Sequence, residues 1–172
     1  MSTTNIVVGL AATGTLKAAA YGENETQAVD LGFIKGGINI EHEENSYEIK
    51  VDQVLGAIDK VTTDEALKIK FALAECTLQN IALALGYDAP AAGAAFDFGS
   101  KQNTPLKTLY ANVKGPAGKT RKYTFWRCRP TGKTAQAYKR DGETLVEIEF
   151  DVLADITKDP SKRFGRIEDI NE

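Results

Sequence analysis

Apolar and polar residues alternate with a period of two along much of this chain. Only a strand whose two faces meet different surroundings satisfies that pattern, so the fold is predicted to be mainly β. The segment Gly36-Gly37-Ile38-Asn39-Ile40-Glu41-His42-Glu43 alternates, and Tyr47-Glu48-Ile49-Lys50-Val51-Asp52 alternates again beyond the polar break Glu44-Asn45-Ser46. This reads as a hairpin turning at the break, with Ile38, Ile40, Tyr47, Ile49 and Val51 on one face and Asn39, Glu41, Glu43, Glu48, Lys50 and Asp52 on the other. Thr62-Thr63-Asp64 reads as a turn ahead of a further strand, in which Leu67, Ile69, Phe71 and Leu73 share a face. Leu106 to Lys114 and Arg121 to Arg129 form a second predicted hairpin around Gly115-Pro116-Ala117-Gly118. The clearest alternation runs from Thr144 to Ala154, with Val146, Ile148, Phe150 and Val152 opposite Glu147, Glu149 and Asp151.

The period changes once. Leu78, Ile81, Ala82 and Leu85 fall at helical spacing and Gly86 follows as a left-handed stop, which predicts one short helix with Gln79 and Asn80 on its wet side. Residues 87–104 are rich in Ala, Gly and turn formers and read as a long excursion with little regular structure. At 172 residues the chain is expected to be one domain, with arms at residues 1–16 and about 156–172. No apolar run reaches the ~20 residues that cross a bilayer, and the N-terminus lacks the basic start of a secretory signal, so folding in a cytosol is expected. Cys76 and Cys128 are then expected as free thiols.

Charge divides the chain in two. Residues 1–100 carry 6 basic and 14 acidic side chains, whereas residues 101–140 carry 11 basic and none acidic. Such a stretch is a solvated face, a contact with the acidic half of another copy, or a nucleic-acid surface. Tyr123, Phe125 and Trp126 interleave with it at strand spacing, which suits core or interface better than base stacking.

Catalytic signatures fail on geometry. Gly118-Lys119-Thr120 and Gly132-Lys133-Thr134 would need a glycine five residues upstream to cradle phosphates, but Val113 and Arg127 stand there. His42, the only histidine, lies between Glu41 and Glu43 in a polar alternating strand and reads as a surface side chain. Glu147, Glu149 and Asp151 repeat at the ~6.6–7 Å step of one strand face, the spacing of an exposed polar surface. No enzyme activity, cofactor or metal is expected.

Three stretches together resemble a known family. These are Asp30-Leu31-Gly32 followed by Gly36-Gly37-Ile38, then Tyr47-Glu48-Ile49-Lys50-Val51-Asp52-Gln53 with Gly56-Ala57-Ile58-Asp59, then Ala74-Glu75-Cys76-Thr77-Leu78-Gln79-Asn80 closing at Leu85-Gly86. Over residues 16–154 this order resembles the tail tube (major tail) proteins of long-tailed phages. The resemblance implies a β-sandwich or barrel with one flanking helix and extended hairpins, six copies to a ring, and rings stacked into a virion tube that conducts DNA. It implies assembly in the host cytoplasm with a tape measure, a tail terminator and a chaperone, with DNA passing transiently and no membrane. Glu41, Glu43, Glu147, Glu149 and Asp151 are then expected to face the lumen. Lys119, Arg121, Lys122, Arg127 and Arg129 are expected at subunit contacts. Two alternatives stand beside this: another tail component of related fold, such as a tube-end or baseplate-hub subunit, and a monomeric β-sandwich ligand-binding module.

Overall fold

A computed structural model describes Val7 and residues 16–91, 94–100, 104–136, 138 and 140–171. Among the described residues the protein is mainly β with one α-helix, its strands forming a single antiparallel eight-stranded sheet. In chain order the strands are β1 (Leu16–Ala20), β2 (Val29–Asp30), β3 (Ile34–Lys50), β4 (Ala57–Leu73), β5 (Lys107–Lys114), β6 (Thr120–Pro130), β7 (Val146–Val152) and β8 (Gly165–Ile170); the helix α1 is Leu78–Leu85. Neighbours follow the path β2-β1-β5-β6-β7-β4-β3, and β8 pairs with β6. The first and last strands of that path are linked by only Leu31, Gly32 and Phe33, so the sheet wraps back on itself.

The wrap encloses one core. Leu16, Leu109 and Phe125 from one flank meet Ile69, Phe71, Leu73, Val146, Ile148 and Phe150 from the other, all buried. Phe71 and Phe150 stack with centroids 6.0 Å apart. The alternation read at 67–73 and 146–152 is therefore a core pattern, and β4 and β7 pair in register from Leu73↔Val146 to Leu67↔Val152.

Closure depends on α1 and the residues ahead of it. Asn80 is buried; its Nδ2 donates to the carbonyls of Leu31 (3.1 Å) and Glu75 (2.8 Å). The Glu75 carboxylate accepts from the Phe33 N–H at 3.3 Å. Gly32, at φ +85°, has no room for a Cβ, which would stand 2.4 Å from Glu75 Cδ. The helix starts at Thr77, whose hydroxyl accepts from the Asn80 N–H, and stops at Gly86 in the left-handed region (φ 74°).

Several expectations are corrected. No turn occurs at Glu44-Asn45-Ser46: β3 runs straight through it for 17 residues and the hairpin turns at 51–56. Thr62-Thr63-Asp64 is not a turn but a bulge inside β4, where Asn45 pairs with Asp64 and Ser46 with Thr62. In an unbroken strand the seven-residue step from Ile40 to Tyr47 changes face, so Tyr47 and Ile49 stand on the side of Glu41 and Glu43, not of Ile38 and Ile40. The helix buries Asn80, Ala82, Leu83 and Ala84, leaving Leu78 half exposed, because Asn80 is needed inward as a donor. The C-terminal segment is not a loose arm: β8 pairs with β6 from Thr120↔Ile170 to Phe125↔Gly165. The N-terminal arm lies outside the described residues apart from Val7 and Leu16.

The described part of 87–104 holds no helix or strand, as expected, but is organised around aromatic rings. Phe96 packs edge-on to Tyr87 at 5.3 Å and stacks with Phe98 at 6.2 Å. The Tyr87 hydroxyl accepts from the Gly99 N–H at 2.8 Å.

Replacing Gly32 with alanine forces a side chain into a left-handed backbone and displaces the Glu75 carboxylate from Phe33. We expect a loss of ~1–3 kcal/mol in urea unfolding. Gly99→Ala, at an open position without a left-handed φ, is expected within about 0.5 kcal/mol of wild type.

Candidate functional site

The β3–β4 hairpin is supported by the body over only part of its length. β4 pairs with β7 from Leu67 to Leu73, whereas Ala57–Glu65 is exposed throughout and has β3 as its one strand partner among the described residues. At ~3.3 Å per residue this unsupported arm reaches roughly 30 Å. A two-stranded ribbon is marginal in water, and among the described residues neither outer edge of this one has a strand partner.

The arm carries apolar residues that the body does not cover. Tyr47, 66% exposed, lies directly opposite Val61, 47% exposed, on the face continuing from Glu41 and Glu43. Ile58, Val54 and Leu55 follow toward the turn, Leu55 wholly in solvent. Polar contacts hold the bulge between these residues and the body. The Thr63 hydroxyl donates to the Asn45 carbonyl (3.2 Å), Thr62 donates to the Glu44 carboxylate, and His42 Nε2 lies 2.7 Å from Glu65 Oε1. Between Glu43 and Glu65 the arm has seven acidic and two basic residues.

The expected acidic face is a mixed one. Register places Glu41, Lys68, Asp151 and Arg129 in one row across β3, β4, β7 and β6, and Asn39, Lys70 and Glu149 in the next. Lys70 Nζ is 2.7 Å from Glu41 and 3.9 Å from Glu149; Lys68 Nζ is 3.7 Å from Glu149 and 3.9 Å from Asp151. The hydrogen bond from Lys70 holds the Glu41 carboxyl below its usual range, and Glu41 in turn raises Lys70. Glu41, Glu149 and Asp151 are thus brought together, but with lysines between them. Glu43, opposite Ala66, and Glu147, opposite Ala72, are exposed at either end of this face.

The five basic residues do not gather into one patch. Arg121 makes a two-pronged contact with Asp169 of β8 (2.6 and 2.9 Å), and Lys122 pairs with Glu25. Arg127 lies over the Tyr21 ring, 6.0 Å from its centroid, and donates to the Ala154 carbonyl at 3.5 Å. Lys119 is exposed at the β5–β6 turn, and Arg129 is exposed opposite Asp151. Three of the five therefore secure the chain's own fold.

The exposed apolar residues of the arm were missed in the sequence because the polar break was read as a turn, which placed Tyr47 and Ile49 toward the core. The odd spacing from Ile40 to Tyr47 was the available signal. Both cysteines are free, and burial pushes the Cys128 thiol far above its usual range. Among the described residues no three His, Cys, Asp or Glu side chains group to hold a metal ion. No protein-family model matches the chain, and no curated protein shows significant similarity to it.

We expect the Arg121–Asp169 contact to make β8 acid-labile. The hydrogen bond from Arg121 lowers the Asp169 pKa, so its stabilising contribution is complete above the ordinary aspartate value of about 3.9 and is lost as pH falls through the lower folded value. Amide exchange followed by NMR is expected to show β8 opening in that acid range before β4 and β7 do. Asp169→Asn is expected to loosen β8 at neutral pH and to remove this pH dependence.

Proposed function

We propose that this protein is a structural subunit that assembles with copies of itself, and that the assembly is a phage tail tube of stacked rings. The observation that supports this best is the β3–β4 arm, with its solvent-exposed edges and apolar side chains. A neighbouring arm supplies both missing partners: backbone pairing along the edges and cover for Tyr47, Val61 and Ile58. Closing a ring leaves no edge unpaired, which is how a symmetric oligomer converts an aggregation hazard into a specific contact. The resemblance read in the sequence implies six copies to a ring, a virion location, and tape-measure, terminator and chaperone partners.

In such a tube the mixed face of β3, β4 and β7 lines the lumen. DNA phosphates bind lysines with release of counterions, and that attraction grows with the number of unpaired cations. Here Lys68 and Lys70 each stand within 4 Å of carboxylates. Opposite charges this close cancel at distances beyond the Debye length of ~8 Å. A wall of this kind neither holds nor strongly repels a passing duplex. This replaces the purely acidic wall expected from the sequence.

Concentrated protein is expected to form rings and tubes by electron microscopy and to leave the monomer position on a sizing column. The double substitution Tyr47→Lys with Val61→Glu alters only exposed side chains and sets opposite charges across the strand pair. Its monomer is expected to unfold within about 0.5 kcal/mol of wild type yet to form no tubes. A wild type that stays monomeric at every concentration, or a variant that assembles normally, contradicts the proposal.

A further inference from the structure

A small cavity of about 220 Å³ lies between the turn after β1, the strands β5 and β6, and the segment that follows β7. It is smaller than the ~300–1,000 Å³ sites of drug-sized ligands, so an occupant is small. Three aromatic side chains, Tyr21, Tyr110 and Trp126, line it together with the buried Asp155 and the exposed Lys158. None of them belongs to the β3–β4 arm or to the mixed face of β3, β4 and β7.

Asp155 is only 2% exposed, yet it stands in no ion pair among the described residues. Its Oδ1 accepts from the Tyr21 hydroxyl (3.1 Å), the Thr157 N–H (3.0 Å) and the Thr157 hydroxyl (2.7 Å). Burial pushes the Asp155 carboxyl up, but these hydrogen bonds outweigh burial and hold it below its usual range, as an anion. Its Oδ2 has no hydrogen-bond partner among the described residues. Buried charges are ordinarily paired, and this one lacks its cation.

The rings decide which kind of cation suits the cavity. Lys122 lies over Tyr110, Arg127 over Tyr21 and Lys158 over Trp126, at 5.7, 6.0 and 4.8 Å from the ring centroids, all within reach of the attraction between a cation and a ring face. Lys122 is also held by Glu25 and Arg127 by the Ala154 carbonyl. The exposed Lys158 ammonium has only the Trp126 ring among the described residues. A calcium or magnesium ion needs about six or more oxygen ligands, whereas aromatic walls favour an organic cation. We propose that the cavity binds the ammonium of a small alkylamine between Asp155 and the Trp126 ring, in place of the Lys158 ammonium. Lys158 is then a displaceable resident that competes with the ligand. The site does not depend on the self-assembly reading.

Trp126 is the only tryptophan of the chain, so its fluorescence reports on this cavity alone. The test titrates the dilute full chain with butylammonium chloride, with sodium chloride at equal ionic strength and with the uncharged 1-butanol. A saturable change is expected with butylammonium and with neither control. Lys158→Ala, which removes the competing ammonium at an exposed position, is expected to bind butylammonium several-fold more tightly. Asp155→Asn is expected to bind it on the order of tenfold more weakly, by loss of the charge-assisted contact. Lys158→Ala carries the test alone if Asp155→Asn does not fold. No saturable change in either wild type or Lys158→Ala, or an equal change with sodium chloride or with 1-butanol, overturns the proposal.

Discussion

The architecture of this protein depends on one strand pair that is longer than the core that supports it. β3 and β4 are 17 residues each, but β7 covers only seven residues of β4. Where β7 is present, Ile69, Phe71 and Leu73 are buried; where it is absent, the ribbon has solvent on both faces. Burial of apolar area contributes about 25 cal/mol per Å², so the inner half has a driving force for order that the outer half lacks. The bulge at Thr63 marks the change. The extra residue moves Val61 of β4 from the core side to the outer side, where it stands opposite Tyr47.

Besides the β4–β7 pairing and the core side chains of β4, polar contacts tie this ribbon to the body where β2 passes into β3. Leu31-Gly32-Phe33 joins β2 to β3, and Asn80 and Glu75 satisfy backbone groups of that crossing directly. Buried polar groups are costly when unpaired, and Asn80 is committed on both sides, to Leu31 and to Glu75. Two stretches far apart in sequence, Asp30-Leu31-Gly32 and Glu75 to Asn80, thus meet in space at this crossing.

Sequence pattern was readable wherever the two faces of an element meet different surroundings. β4 from Leu67 and β7 have one face in the core and one outside, and their alternation located them; the β5–β6 hairpin, buried on both faces at the centre of β5, was located by its turn residues Gly115-Pro116-Ala117-Gly118. The outer arm has water on both faces, so Glu44, Asn45 and Ser46 carry no strand signal although β3 continues through them. β8 was hidden because Arg166, Glu168 and Asp169 look like a charged tail until Arg121 is placed opposite Asp169. Leu16–Ala20 is mostly alanine and has weak strand preference; its place is set by pairing to β5. At the candidate site, periodicity located the carboxylates of β7. Their interleaving with Lys68 and Lys70 depends on cross-strand register, which a single strand's sequence does not carry.

We propose that the distal arm is a partner-seeking ribbon, ordered by neighbouring copies and not by its own chain. Hydrogen exchange at the backbone amides of residues 57–65, measured in dilute monomer and in assembled material, tests it most directly. The account predicts near-unprotected exchange in the monomer and a slowing on the order of a hundredfold or more on assembly, while Ile69 and Phe71 stay protected in both. Equal protection of the arm in the two states would contradict it.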